Sequence, residues 1–135
     1  PEDVFHPVIP GEAYRIGSFT VRFHPARHIP FPAPLHWLLP ESGRIETPLT
    51  PPAPFWAYRC GAVHALQVDR VLVFGSAGFE PGAYDGLDVE AVILGIGGLE
   101  SKSAAYLKRL YKETVLACDA ARVWLSHWDN FFKYS

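Results

Sequence analysis

The chain has 135 residues, of which 49% are hydrophobic and 14% aromatic, and its formal net charge is −2. This length suits one domain, or one part of a larger one, with enough apolar residues for a real core. Charged residues make up only 19% of the chain, with no basic field of the kind that binds a nucleic-acid backbone. No apolar run approaches the roughly 18 to 20 residues of a membrane-spanning helix. We therefore expect neither a nucleic-acid partner nor a membrane span.

Both ends of the sequence suggest that residues 1–135 are a fragment or a processed piece, cut at both ends. The chain begins with Pro1 rather than Met, shows no signal-peptide pattern and stops at Ser135, just after an aromatic run. Cys60 and Cys118 lack metal-type spacing, so we interpret them as ordinary buried thiols. The compartment stays open, with a cytoplasmic location as the default expectation.

The first part of the chain predicts one strand and then a long loop. In "SFTVRFHPARH", Phe19, Val21 and Phe23 share one face, which predicts a half-buried strand that ends at Pro25. The opposite face of this strand carries Thr20, Arg22 and His24. Residues 30–54 hold most of the 13 prolines, and proline disfavours both helix interiors and sheet ladders. We predict a functional or mobile surface loop there, whose apolar side chains cover a pocket mouth or face a partner.

The remaining segments predict an α/β fold. Strands are predicted near 56–66 and 70–75, with a turn around Val68 and Asp69, and the run "AVILG" predicts a strand covered on both faces. A helix with Ser near its start follows in "SKSAAYLKRLYKETVLACDA". Its apolar positions at helical spacing are Ala104, Leu107, Leu110, Tyr111, Val115 and Leu116. The run "ARVWLSH" predicts another buried strand, so residues 90–126 form a right-handed βαβ unit with parallel strands.

Candidate functional residues follow the predicted strands. In α/β sheets, ligands bind beyond the C-terminal ends of parallel strands, and "HPARHIP", "GSAGF", "GIGG" and "SHWDNFF" occupy such positions. His28, Ser76 and His127 are therefore expected at one edge of the sheet. A histidine at a rigid strand end is a good zinc ligand, although one that only caps the strand end would also explain His127. The small residues around Ser76 and Gly78 indicate a tight backbone turn near a ligand or metal.

A serine-hydrolase interpretation of the same strand ends has less support than a metal site. The order Ser76, Asp119, His127 matches an α/β-hydrolase, but the nucleophile elbow needs G-x-S-x-G followed by a helix. Phe74 occupies the first glycine position, and a loop rich in Gly, Pro and Asp follows the serine.

The order and spacing of several motifs resemble the C-terminal half of a metallo-β-lactamase-fold hydrolase, in the branch with lactonase-like and phospholipase-like members. "ARHIP" looks like the family's "a-x-H" turn. "VLVFGSAGFEPGAYDGLDVEAVILGIGG" is similar to its "v-l-x-x-G-D-t-G" hairpin and the following "D-l" strand. "LSHWDNFF" matches its closing "p-x-H-w-d-x-f" turn. The resemblance covers about residues 13–133.

The resemblance implies an αββα sandwich and a metal-dependent hydrolase of a small-molecule ester, lactone or phosphodiester. One or two zinc ions would be bound, with manganese as another option. His28 would ligate the first metal and His127 the second, and Asp129 would be the catalytic neighbour of these ligands. Ser76, Gly78 and Trp128 would line the site or its loops.

Two positions depart from the family pattern. Ser76 stands where the bridging aspartate is expected, so the site would be mononuclear, would rely on a neighbour such as Glu80, Asp85 or Asp88, or would be inactive. The ligand cluster H-x-H-x-D-H is absent from this sequence. We therefore expect the chain alone to be inactive and to need the N-terminal half of the domain as its partner. The alternative is a non-catalytic binding or relic domain of the same fold.

Overall fold

The computed structural model describes residues 7–31, 48–54, 57 and 61–127. Within these ranges the chain forms six strands and one α-helix, a mixed α/β arrangement. The elements are β1 (Ala13–Ile16), β2 (Phe19–Ala26), β3 (Val63–Val68), β4 (Val71–Phe74), β5 (Ala91–Gly95), α1 (Ala104–Thr114) and β6 (Arg122–Ser126). Most of the proline-rich loop predicted at 30–54 lies outside the described residues, as does Cys60, whereas Cys118 is buried, as predicted.

The six strands form one sheet in the order β1-β2-β3-β4-β5-β6. From β1 to β4, each strand pairs antiparallel with the next one along the chain, whereas β5 runs parallel to both β4 and β6. The helix α1 connects β5 to β6, so the predicted βαβ unit with parallel strands is confirmed. A parallel pair needs such a crossover, because a tight hairpin can only reverse the chain.

Strand boundaries differ from the sequence prediction mainly around β2 and β3. The strand β2 continues through Pro25 to Ala26, and Pro25 pairs with His64 on β3. The predicted turn lies one residue further on, at Asp69 and Arg70. Asp69 has a positive φ of 50° and accepts a hydrogen bond from the backbone N–H of Thr20 through Oδ1, 2.9 Å away. Asp tolerates this left-handed conformation, which explains the tight reversal.

The buried face of α1 matches the predicted one only in part, because Leu110 lies in the core as predicted whereas other predicted positions are exposed. Ser103 caps the helix, with Oγ accepting from the N–H of Tyr106, 3.2 Å away. Leu110 and Thr114 are buried, whereas Leu107 and Tyr111 are 39% and 48% exposed. The Thr114 hydroxyl donates to the Leu110 carbonyl over 2.7 Å. Because that bond satisfies the hydroxyl inside the helix, threonine can occupy a core position.

The core lies between α1 and one face of the sheet. Phe74, Leu72, Val92 and Leu94 point into it from the central strands, and Leu110 meets them from the helix. No second sheet, and no α-helix other than α1, occurs within the described ranges. The observed layers are therefore one sheet and one helix.

The polar face predicted for β2 is partly wrong, because His24 lies inside. It is only 7% exposed, and its Nε2 donates to Oε1 of Gln67 over 2.8 Å. The Gln67 amide nitrogen in turn donates to the carbonyls of Asp69 and Asp88 at 2.9 and 3.4 Å. A buried polar side chain is tolerated when its hydrogen bonds are satisfied in this way.

Tyr84 connects the loop after β4 to the end of β2. Its side chain is completely buried, its ring meets Phe74 edge-to-face at 4.9 Å, and its hydroxyl donates to the Pro25 carbonyl over 2.7 Å. The N–H of Glu80 donates to the same hydroxyl oxygen over 3.4 Å. Burial raises the pKa of Tyr84 to about 12.

Raising the pH above about 10 is expected to destabilise the protein through Tyr84. The unfolded chain loses the phenol proton near pH 10 and the folded chain only near 12. The stabilisation is therefore complete below pH 10 and falls as pH rises toward 12, by roughly 3 kcal/mol in all. Urea unfolding of the protein and of Tyr84→Phe between pH 8 and 11.5 tests this. An equal alkaline loss in both proteins would contradict it.

Candidate functional site

Four strands end at one edge of the sheet. The strands β2 and β4 both run antiparallel to β3, and β5 and β6 continue parallel to β4. The segments after them are 27–31, 75–80, 96–103 and His127, and together they form what we call the loop edge. Such an edge is the usual ligand site of an α/β sheet.

His28 stands in the first segment of the loop edge, partly buried. Its Nδ1 donates to the Ile29 carbonyl over 2.9 Å, since a carbonyl can only accept, and its ring stacks on Phe31 at 5.4 Å. A backbone carbonyl bonded to one ring nitrogen fixes the tautomer and orients the other nitrogen. In the neutral ring of His28, Nε2 is therefore the nitrogen that carries the lone pair.

Ser76 and Gly78 clamp the loop after β4 to the segment around His28. The Ser76 hydroxyl oxygen accepts from the N–H of Ile29 over 2.9 Å. A Cβ at Gly78 would lie 2.5 Å from the His28 carbonyl oxygen and closer still to that of Arg27. The small residues of "GSAG" thus permit a close approach of two backbones.

His127 directly follows β6, with a positive φ of 53°. Its ring lies against the backbone of Gly97, where a Cβ would come within 2.5 Å of Nε2. The neighbouring Gly98 lies close to Ile29, since a Cβ added at this glycine would be 3.4 Å from the Ile29 Cδ1 atom. A chain of contacts through Ile29, Gly98 and Gly97 therefore connects the segments that carry His28 and His127.

The serine-hydrolase triad does not assemble. Asp119 precedes β6 and His127 follows it. Five strand residues at about 3.3 Å each separate them along the sheet. Asp119 therefore lies at the edge opposite Ser76 and His127. The segment after Ser76 forms turns over 81–86 rather than the helix that a nucleophile elbow requires.

The acidic residues near Ser76 have other partners or positions. Glu80 binds Arg27 through two hydrogen bonds, Nε to Oε2 at 2.6 Å and Nη2 to Oε1 at 3.1 Å. The Arg27 guanidinium holds the pKa of Glu80 below its usual range. Asp88 pairs with Arg70 at the start of the parallel strands, on the opposite edge. The idea that Asp88 replaces the bridging aspartate is therefore wrong, and Glu80 is engaged by a cation.

The described residues supply part of a metal site. A catalytic zinc ion uses three protein ligands and a water, and His28 fits as one of them because its Nε2 keeps the lone pair. Among the described residues, no three or more His, Cys, Asp or Glu side chains are grouped so that they could hold a metal ion. The predicted neighbours Asp129 and Trp128 lie outside those residues. His28 and His127 are thus two candidate donors and do not by themselves complete a catalytic metal site.

Sequence reasoning missed a cavity of about 180 Å³ beside His28. Its wall contains Arg27, Tyr106 and Arg109, from the β2 end and from α1. No motif marks these residues, because they are ordinary surface types and meet only when the helix packs over the loop edge.

Neither a scan against protein-family models nor searches of curated proteins and of solved structures found a match for this chain. Within the described ranges no helix has the length and apolar character to cross a membrane.

Proposed function

We propose that this chain belongs to a metal-dependent hydrolase of the metallo-β-lactamase superfamily that acts on a small-molecule ester, lactone or phosphodiester. One observation carries the proposal: two histidines that follow strands, His28 after β2 and His127 after β6, share the loop edge. Contacts of Ile29, Gly98 and Gly97 connect their segments. Strand ends are rigid, and rigid imidazoles from separate loops suit a metal ion at an open site.

In this proposal His28 and His127 hold one or two zinc or manganese ions. Such an ion supplies a hydroxide nucleophile and stabilises the substrate oxygen when bound. The Ile29 carbonyl orients the His28 ring, and the Ser76 hydroxyl fixes Ile29 in turn. Ser76 is thereby a positioning residue rather than a nucleophile.

The proposal includes an αββα sandwich, with a further half of the domain as the partner of this chain. Its support is a row of apolar side chains on the sheet face away from α1. Register places five of them side by side across five strands, namely Phe23, Leu66, Val73, Ile93 and Trp124. Trp124 is 50% exposed. Sheets that are apolar on both faces are typical of folds covered on both sides.

A non-catalytic binding domain is the second candidate. It is favoured because, within the part of the chain that the structure describes, no three His, Cys, Asp or Glu side chains are grouped so that they could hold a metal ion. The ion pair of Glu80 with Arg27 also favours it. The two candidates differ in whether the loop edge binds a metal tightly enough to support hydrolysis.

Zinc titration of the full chain against a competing chelator distinguishes the metal-dependent hydrolase from the non-catalytic binding domain. Removing His28 or His127 by substitution with alanine is expected to lower zinc affinity at least about tenfold, the loss that follows even from removing a ligand's hydrogen-bond partner. Ester and phosphodiester hydrolysis with added zinc or manganese is measured in parallel. Any activity that depends on the proposed site should disappear with the chelator and in both variants.

Asp88→Asn at the opposite edge is the matched control and should keep the zinc affinity of the parent. Equal zinc affinity in the parent and both histidine variants would contradict the metal site and favour the binding domain. Loss of activity in Ser76→Ala with zinc binding intact would instead favour a serine nucleophile.

A further inference from the structure

We propose that the cavity beside His28 binds the anionic group, a carboxylate or phosphate, of a small organic ligand. The cavity measures about 180 Å³, far above the roughly 10 to 15 Å³ that one water needs. It opens on the loop edge between the end of β2, the loop after β4 and α1. The residues that line it include two arginines and a histidine but no acidic side chain.

Arg109 is the main cation of this cavity. Its guanidinium lies over the Phe79 ring, 5.5 Å from the centroid, and the residue is exposed. Within the described ranges no carboxylate forms an ion pair with Arg109. This cation–π contact restrains the guanidinium while its N–H groups stay available, which suits bidentate binding of a carboxylate or phosphate.

A second positive charge stands beside the same wall. Lys102 donates to the Pro30 carbonyl, and its Nζ lies 5.9 Å from the centroid of the Tyr106 ring. Arg27 is already neutralised by Glu80. No carboxylate of a described residue lines the cavity, and Glu113, one turn after Arg109 on α1, accepts from the Gly82 N–H over 3.2 Å. Two cations at one pocket attract anions.

The rest of the wall is apolar and aromatic. Pro30, Phe79, Pro81 and Tyr106 line it, and the Tyr106 hydroxyl donates to the Ala77 carbonyl over 2.8 Å, which fixes the ring. An apolar wall beside a charged group is typical of pockets that take an organic ligand by a polar head and an apolar body. The inference goes beyond the proposed function, because Arg109 and Lys102 need no metal to bind an anion.

Calorimetric titration of the full chain tests this inference, with EDTA present so that no metal can hold the anion. Phenyl phosphate and benzoate are the probes, and benzyl alcohol is the neutral control. We expect both anions, or one of them, to bind and the alcohol not to bind; the tighter anion identifies the preferred head group. Arg109→Gln should weaken that binding about 10- to 100-fold, the effect of losing a charged hydrogen-bond donor.

Lys108→Gln is the matched control, since it removes one positive charge from an exposed neighbour on the same helix, and it should change affinity less than twofold. Equal weakening in both variants, or no anion binding by the parent protein at millimolar concentration, would overturn the proposal. Ring proton shifts of Phe79 and Tyr106 in the unsubstituted protein provide a measurement independent of variant folding. Binding that leaves both sets of shifts unchanged would also overturn it. Because the titration contains EDTA, its outcome is separate from that of the metal test.

Discussion

Replacing Tyr84 with alanine is expected to lower the free energy of unfolding by about 3 to 5 kcal/mol, the range for truncating a buried aromatic side chain. The ring is completely buried and meets Phe74 edge-to-face at 4.9 Å. The substitution would also leave the Pro25 carbonyl without the hydroxyl that donates to it over 2.7 Å. Urea unfolding monitored by circular dichroism measures the loss.

Two companion variants separate the contributions of Tyr84. Tyr84→Phe keeps the ring and removes only the hydroxyl, so the expected loss is about 1 to 3 kcal/mol. Tyr111→Ala removes a tyrosine that is 48% exposed on α1, and we expect a change within about 0.5 kcal/mol. If Tyr84→Ala were no more destabilising than Tyr111→Ala, the buried contacts of Tyr84 would not stabilise the fold as described.

The parallel half of the sheet could be predicted from the sequence because its signals are strong and local. The run "AVILG" is apolar without alternation, and the structure has β5 at Ala91–Gly95 with both neighbours parallel. A serine caps the helix that follows. The placement of His28, Ser76 and His127 at strand ends followed from the same element order.

The packing details could not be predicted, because they depend on tertiary contacts. Helical spacing grouped Leu107 and Tyr111 with Leu110, yet the structure exposes the first two and buries Leu110 together with Thr114. Thr114 looks polar in the sequence, and its bond to the Leu110 carbonyl exists only in the folded helix. His24 was placed on the polar face for a similar reason, since its partner Gln67 lies far away in the chain.

In the candidate site, too, the loops could be predicted from the sequence, whereas the side-chain contacts could not. The rule on strand ends identified the loops, but the side chains of the cavity come from separate elements that converge only on folding. Arg109 becomes a candidate anion ligand because its guanidinium lies over the Phe79 ring beside the cavity, and no sequence pattern joins those two positions. The contact between Gly78 and the backbone around His28 is likewise invisible before folding, although the glycine itself suggested a tight approach.

Gly78→Ala is expected to destabilise the protein by about 1 to 3 kcal/mol or more, as overpacking does. The new Cβ would lie 2.5 Å from the His28 carbonyl oxygen and closer still to that of Arg27. Both atoms belong to the backbone, so no rotamer change can relieve the clash, and one loop must move away from the other. That movement should also displace His28 and, if the proposed metal site exists, lower its zinc affinity.

Gly75→Ala is the matched control for this change, because it adds the same methyl group three residues earlier in the same loop. No atom lies within 4 Å of a Cβ at Gly75, and its φ is not in the left-handed region. Its effect on the free energy of unfolding should therefore stay within about 0.5 kcal/mol. Chemical denaturation of both variants, together with zinc titration, makes the comparison. If the two variants were equally stable, the loops after β2 and β4 would not be in backbone contact. That contact could then not be what positions His28.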